Sequence, residues 1–145
     1  MRTILFLDYT GVLLCGRCSE DSCGHLRNLA HIVQMLGCEV VLSTSYKYDV
    51  SFIEELRQQF TEHGIPAWIG VTPHLQNSRW NEIRAWIEEH GAAGDRLVIV
   101  DDRRDADLTA YVPDTYHDCH FFRADPRVGL DGNLMQAVFR LAAAM

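Results

Sequence analysis

The sequence has little positive charge, no run of apolar residues long enough to cross a membrane, and no secretory leader features. Lys and Arg number 13 against 20 Asp and Glu, which gives a formal net charge of −7. Because nucleic-acid backbones are bound mainly by clustered Lys and Arg, this balance argues against a broad nucleic-acid surface, though not against a local basic pocket for one phosphate. The first residues lack the basic region and cleavage site of a signal peptide. We therefore expect a cytoplasmic protein that does not contact membranes.

The cysteines are too few and too unevenly spaced to predict a disulfide framework. There are 5, an odd number, in a chain expected to be cytoplasmic. Cys15, Cys18 and Cys23 lie close to His25 in the sequence, and such a group is compatible with a zinc site. The spacing C-x-x-C-x-x-x-x-C-x-H lacks a second C-x-x-C pair, so reduced thiols in a loop are the alternative interpretation.

Strands of the buried type alternate with amphipathic helices. Continuous apolar runs, typical of strands buried on both faces, cover residues 2–7, 39–42 and 97–100. Shorter strands are predicted at about residues 67–71 and 119–122. Apolar residues at helical spacing predict helices near Leu26, Phe52, Trp80 and Leu134. We therefore predict one α/β domain over residues 1–145, a three-layer Rossmann-like sandwich with a mainly parallel five-stranded sheet and a short loop insertion at about residues 14–24.

Polar side chains stand at the carboxyl ends of three of these strands. Asp8 follows the first strand, Ser43 and Thr44 follow the second, and Asp101 and Asp102 follow the run at 97–100. Ligands of open α/β sheets bind at that edge, and crowded carboxylates there need a positive neighbour. Oxygen donors of this kind suit Mg²⁺, and a carboxylate beside the cation can attack phosphorus. The alternative is that the acids merely cap a helix and open a polar turn.

Four stretches of the chain resemble the motifs of the haloacid dehalogenase-like (HAD) superfamily. Residues 4–13, I-L-F-L-D-Y-T-G-V-L, resemble the first motif, a hydrophobic strand followed by D-x-D-G-x-L. The strand that ends at Ser43 resembles the second motif. Arg79, which precedes a helix, resembles the third motif, and residues 98–102, V-I-V-D-D, resemble the fourth. The strings R-W-N-E-I-R-A-W-I, V-I-V-D-D and V-G-L-D are further similar to a bacterial branch that includes domains of RNA-repair proteins.

The resemblance implies a HAD-like fold and a magnesium-dependent phosphohydrolase or phosphotransferase that acts through an aspartyl-phosphate. Asp8 would be the nucleophile, while Ser43 and Arg79 would contact the transferring phosphoryl group. Asp105 or Asp107 would complete the acidic set. The implied ligands of Mg²⁺ are Asp8, Thr10 through its carbonyl, Asp101 and Asp102. The implied phosphate contacts are Gly11, Thr44 and Arg103.

The expected partner is a phosphorylated substrate, with a nucleotide or a nucleic-acid end among the candidates. No stretch between the motifs is long enough for a large cap domain, and capless members of the superfamily often act on polymers. The candidate phosphate contacts around the rim are Arg17, Lys47, Arg103, Arg104 and Arg123, and ordinary solvated surface charge is the alternative. Trp80 and Trp86 suit base stacking, but their helical spacing favours the core.

Thr10 departs from the pattern of the superfamily's phosphatases, which usually carry a second Asp two residues after the nucleophile. A hydroxyl cannot protonate a leaving oxygen near neutral pH as a carboxyl can. The alternative function is therefore a catalytically weakened regulatory domain that binds phosphate or metal. A phosphoacceptor receiver domain is excluded, because such domains place the acid pair after the first strand and the acceptor Asp after the third.

Overall fold

A five-stranded parallel sheet is the centre of the fold in the computed structural model, which describes residues 2–16, 24–45, 49–75, 78–111, 116 and 118–144. The strands are β1 (Thr3–Leu7), β2 (Glu39–Leu42), β3 (Gly70–Val71), β4 (Arg96–Asp101) and β5 (Cys119–Arg123). They lie in the order β3-β2-β1-β4-β5, and every neighbouring pair is parallel. This arrangement confirms the predicted fold class.

Helices cover both faces of the sheet. They are α1 (His25–Leu36), α2 (Val50–Glu62), α3 (Arg79–His90), α4 (Leu108–Tyr111) and α5 (Gly132–Ala143), with a 3₁₀ turn at Arg104–Ala106. Alternate strand residues point to opposite faces. Leu5 and Leu7 pack in the core that contains α1, α2 and α5, whereas Ile4 and Phe6 pack in the core that contains α3 and α4. The sheet is therefore the middle layer of three.

Register places the strand ends side by side. Leu7 of β1 lies opposite both Leu42 of β2 and Val100 of β4. The residue after each of these three positions is polar, so the parallel pairing brings Asp8, Ser43 and Asp101 to one edge of the sheet. Among the described residues, no helix is long and apolar enough to cross a membrane.

Two elements differ from the sequence-based expectation. β3 contains only Gly70–Val71, two residues paired with the end of β2, rather than the five residues at 67–71. The stretch after β4 contains the 3₁₀ turn and α4, neither of which the apolar spacing predicts. Most of the expected loop insertion, residues 17–23, lies outside the described residues.

Candidate active site

Three carboxylates meet at the carboxyl edge of the sheet. One oxygen from each of Asp8, Asp101 and Asp102 lies within 4.8 Å of the others. Asp8 and Asp101 are buried, whereas Asp102 is partly exposed. A pocket of about 240 Å³ opens above them and is lined by Asp8, Thr10, Thr44, Ser45, Arg79, Asp102 and Arg103.

The buried guanidinium of Arg79 joins the acids. Its Nη1 lies 3.2 Å from Oδ1 of Asp8 and donates to Oδ2 of Asp101 at 2.9 Å. The same nitrogen also donates to the backbone carbonyl of Ser43. Arg79 is the first residue of α3, where backbone amides have no partner within the helix, and its amide donates to Oδ2 of Asp105 at 2.9 Å. The start of α3 is thus fixed against the segment after β4.

Burial dominates the ionisation of this group. It raises the pKa of Asp8, and the nearby charge of Asp101 raises it further, while Arg79 acts in the opposite direction. Burial also raises the pKa of Asp101, although Arg79 and the backbone amide of Arg103 favour its ionised form. One guanidinium therefore does not fully compensate the buried carboxylates, and a bound cation would stabilise their ionised forms.

The residues present fit a magnesium ion. The donor atoms are oxygens, and the negative charge of the three carboxylates exceeds the positive charge of Arg79. The carboxylates of Asp8 and Asp102 line the pocket. Asp101 is more heavily engaged by the protein, because Oδ1 accepts from the amide of Arg103 and Oδ2 from Arg79, each at 2.9 Å. This favours Asp8 and Asp102 as direct ligands and Asp101 as the residue that positions Arg79.

The turn after β1 shapes the pocket floor. The carbonyl of Tyr9 accepts from the amides of residues 12, 13 and 14, which closes the turn immediately after Asp8. Thr10 is exposed on the pocket lining. Gly11 has a φ of 85°, and a Cβ there would lie 2.5 Å from Oδ2 of Asp102. A side chain at this position would therefore collide with the Asp102 carboxylate. The predicted contact of Gly11 with phosphate stays a prediction.

The three hydroxyl residues after β2 have different positions. Thr44 and Ser45 line the pocket. Ser43 does not appear in the lining, and its buried Oγ has no hydrogen-bond partner among the described residues. An unpartnered buried hydroxyl is costly, so Ser43 remains a candidate for a bond that forms with bound substrate.

The remaining acids near the site hold protein groups. Asp105 accepts from Nε and Nη2 of Arg103, at 2.8 and 2.7 Å, in addition to the Arg79 amide. Asp107 accepts from the amide and the hydroxyl of Thr109, and so caps the start of α4. Neither belongs to the three-carboxylate group found among the described residues.

The cysteine motif is only partly described. Sγ of Cys15 lies 3.2 Å from Nε2 of buried His25, whose Nδ1 lies 2.9 Å from the carbonyl of Leu130. When Nδ1 donates to that carbonyl, Nε2 can accept a hydrogen bond from the Cys15 thiol. The contact therefore does not require a metal ion. Cys18 and Cys23 lie outside the described residues, as do Arg17 and Lys47.

Sequence reasoning missed one contributor to the site, Ser45, and gave another, Asp105, a different role. Ser45 lines the pocket, and the signal was the unbroken run of hydroxyls that begins at Ser43. Asp105 was expected to extend the metal site, whereas it orients Arg79 and Arg103. Its position two residues after Arg103 suits such a short-range ion pair.

Comparison with known proteins identifies the family. No curated protein matches the chain. The family model described as the HAD domain in Swiss Army Knife RNA repair proteins matches residues 4–133, a span that includes all four motifs. This match confirms the resemblance inferred from the strand-end residues. The chain belongs to this family of HAD domains.

Proposed function

We propose that the protein is a magnesium-dependent phosphohydrolase or phosphotransferase that forms an aspartyl-phosphate on Asp8. The observation that carries this proposal is the contact of one buried guanidinium, that of Arg79, with both Asp8 and Asp101 in a pocket lined by hydroxyls. A buried cation held at this point can stabilise charge that develops on a transferring phosphoryl group.

Each residue has a role in this proposal. The carboxylates of Asp8 and Asp102, with the carbonyl of Thr10, would hold Mg²⁺, which when bound screens the charges of carboxylate and phosphate. Arg79 and Thr44 would bind the equatorial phosphoryl oxygens. Asp101 would keep Arg79 in place. Asp105 supports this arrangement because it accepts from the amide of Arg79.

The reaction would proceed in two displacements. An oxygen of Asp8 attacks phosphorus, the bond between phosphorus and the ester oxygen breaks, and the alcohol leaves with a proton taken from solvent. Water then attacks the phosphoryl group, Asp8 is released as a carboxylate, and inorganic phosphate departs. Another acceptor hydroxyl in place of water would make the protein a phosphotransferase. Because Thr10 lacks a titratable carboxyl, we expect both displacements to be slow.

The substrate class follows from the pocket and the family description. The pocket, of about 240 Å³, has room for a phosphoryl group, and exposed Thr10 and Arg103 line it. A phosphate at an accessible end of a larger molecule suits such a site. The family name refers to RNA repair proteins, which supports a nucleotide or a nucleic-acid end as substrate. A cytoplasmic location is part of this proposal.

A second candidate function is favoured by Thr10. The protein would keep the acidic pocket and bind phosphate with metal, but would hardly turn over. It would then act as a binding or regulatory domain. Phosphate binding without Asp8-dependent phosphate release distinguishes it from the enzyme.

The experiment that tests the proposal compares wild-type protein with Asp8→Asn. Magnesium is added with p-nitrophenyl phosphate, nucleotides, or RNA carrying a 5′- or 3′-phosphate, and phosphate release is measured. We expect Asp8→Asn to lower release by about 10³-fold or more, because the nucleophile is lost. EDTA should abolish release in the wild type.

Glu54→Gln provides the matched control, since it neutralises an exposed acid on α2 away from the pocket. It should leave release unchanged. Equal release by wild type and Asp8→Asn, or release unaffected by EDTA, would overturn the proposed mechanism.

A further inference from the structure

Two aromatic rings, those of Trp80 and Tyr111, stack on each other, and the proposed chemistry does not use them. The rings of Trp80 and Tyr111 are parallel to within 6°, with centroids 5.2 Å apart. Tyr111 is 46% exposed, and Trp80 is partly exposed. Neither residue belongs to the two hydrophobic cores, whereas Trp86 on the same helix packs edge-on against Phe6.

The stack is attached to the elements that carry the catalytic groups. Trp80 follows Arg79 directly in α3, so their Cα atoms are about 3.8 Å apart. Tyr111 is the last residue of α4, which begins after the turn that contains Asp105. Since Asp105 bonds the Arg79 amide, the position of the stack relative to the pocket is fixed from both sides.

Positive charge lies on the segment of chain that runs from the pocket to α4. Arg103 lines the pocket, and Arg104, the next residue, begins the 3₁₀ turn that leads to α4. Arg104 is exposed and has no ion pair with any other residue in the described ranges. Exposed cationic and aromatic side chains on the segment that continues from a phosphate pocket have the chemistry that recognises a nucleotide unit.

We propose that Tyr111, supported by Trp80, stacks on a nucleobase of a single-stranded nucleic-acid end whose phosphate lies in the Asp8 pocket. This inference rests on the proposed function and names its substrate class. A stacking surface tolerates any base, because every base has a π-face. A single strand suits this site, because bases inside a duplex are stacked on both sides and do not present their faces to a side chain. Arg104 is placed to contact the backbone phosphate next to the stacked base.

The test separates the base from the phosphate. Short strands of RNA and DNA with a 5′- or 3′-phosphate are compared with strands that carry an abasic residue at the same end. Binding to wild-type protein with Mg²⁺ is measured by isothermal titration, and phosphate release is followed in parallel. We expect the strand with the base to bind about tenfold more tightly than the abasic strand.

Substitution of Tyr111 supplies the decisive comparison. Tyr111→Ala should bind both strands equally, at the wild-type affinity for the abasic strand, whereas Tyr111→Phe should keep the tenfold preference. Trp68→Ala is the control, since Trp68 packs on Phe60 and Arg57, residues of α2. It should behave as wild type. Circular dichroism and thermal unfolding verify that each variant folds.

The outcomes distinguish this inference from the proposed function. Equal binding of the two strands by wild type, with phosphate release that needs Asp8, would overturn the stacking site and leave the enzyme in place. A preference that depends on Tyr111 without phosphate release would support the stacking site and overturn the enzyme. A Tyr111→Ala variant that weakens both strands alike would show that Tyr111 acts through α4 rather than on the base, and would overturn the inference.

Discussion

Arg79 forms ion pairs with both buried carboxylates of the site, Asp8 and Asp101. Removal of its guanidinium would leave two buried carboxylates facing each other with no ion-pair partner among the residues that the structure describes, which is strongly destabilising in a protein interior. One nitrogen of this guanidinium, Nη1, contacts Asp8, Asp101 and the Ser43 carbonyl together. The residue therefore contributes to folding and to chemistry through the same contacts.

In the proposed mechanism, Thr10 limits how fast the site can turn over. Thr10→Asp places a carboxyl on the exposed pocket lining, two residues after the nucleophile. We expect phosphate release to increase by about 10²-fold, because a positioned carboxyl can protonate the leaving oxygen and then deprotonate water. Steady-state assays with p-nitrophenyl phosphate and magnesium measure the change.

Thr10→Asn is the matched control for this prediction. It has nearly the same shape as Thr10→Asp but no titratable proton, so it should not increase release. A comparable increase in both variants, or none in Thr10→Asp, would contradict the view that a missing general acid and base limits this protein.

At the residue scale the sequence predicts the acids better than the hydroxyls. Asp8, Asp101 and Asp102 were predicted as a group because parallel strands end at a common edge, and the structure brings them together. The choice between Ser43 and Thr44 depends on the direction of the backbone after β2, which no pattern in the sequence specifies. The role of Asp105 depends on the approach of α3 to the 3₁₀ turn, a contact between segments distant in the chain.

Elements at the opposite edge of the sheet are joined by charge pairs. Arg2, just before β1, donates from Nη2 to Oδ2 of Asp95, just before β4, at 2.9 Å. Asp95 also accepts from the amide of Ala92 at 2.9 Å, which closes the turn between α3 and β4. The hydrogen bond from Arg2 lowers the pKa of Asp95, although burial acts in the opposite direction. The pair therefore stabilises the starts of the two central strands.

Asp95→Asn should lower the free energy of unfolding by about 1 kcal/mol at pH 7, a modest value because solvent screens Arg2, which is about one-third exposed. A carboxylate whose pKa is lowered by folding stabilises the native state at pH values above its pKa in the unfolded chain, about 3.9. That contribution disappears as the pH falls through the lower pKa that the carboxylate has in the folded protein. Urea unfolding at pH 7, 5 and 3 should show a difference between wild type and Asp95→Asn at the two higher values only.

Glu88→Gln is the control at this scale, since it removes an exposed ion pair between Glu88 and Arg84 one turn apart on α3. Its effect on the free energy of unfolding should stay below about 0.5 kcal/mol at every pH. A difference for Asp95→Asn that persists at pH 3 would contradict the assigned role of the carboxylate charge.

The elements that were predicted well are those with a continuous apolar run or with apolar residues at helical spacing over several turns. β1, β2 and β4 are continuous apolar runs, and α1 and α5 carry apolar residues at helical spacing. α4 was missed because four residues contain barely one turn, too few to show a period. It forms because the Asp107 side chain caps its start and because Leu108 is buried in the core under α3.

On the scale of the whole molecule, positive charge is scarce, but several arginines lie at the carboxyl edge of the sheet. Arg103 and Arg104 follow β4, and Arg123 ends β5, where its Nε donates to the carbonyl of Asp102 at 3.2 Å. Together with buried Arg79 they place four guanidinium groups near the carboxyl edge of a chain with a net charge of −7. This distribution favours binding of a single phosphorylated end over binding along an extended nucleic-acid backbone. It agrees with the expectation that the protein has no broad nucleic-acid surface.

The salt dependence of binding tests this distribution. Four cations that contact phosphates of a single strand would give a slope of log K against log salt of about −3. We expect that value for a phosphorylated single-stranded oligonucleotide between 50 and 400 mM KCl, and weaker binding of a blunt duplex. Arg104→Gln should reduce the magnitude of the slope by about 0.7, whereas Arg140→Gln on α5 should not change it. A slope well steeper than −4, or equal binding of the duplex, would require a basic surface beyond these four residues, because each further phosphate neutralised adds to the counterions released.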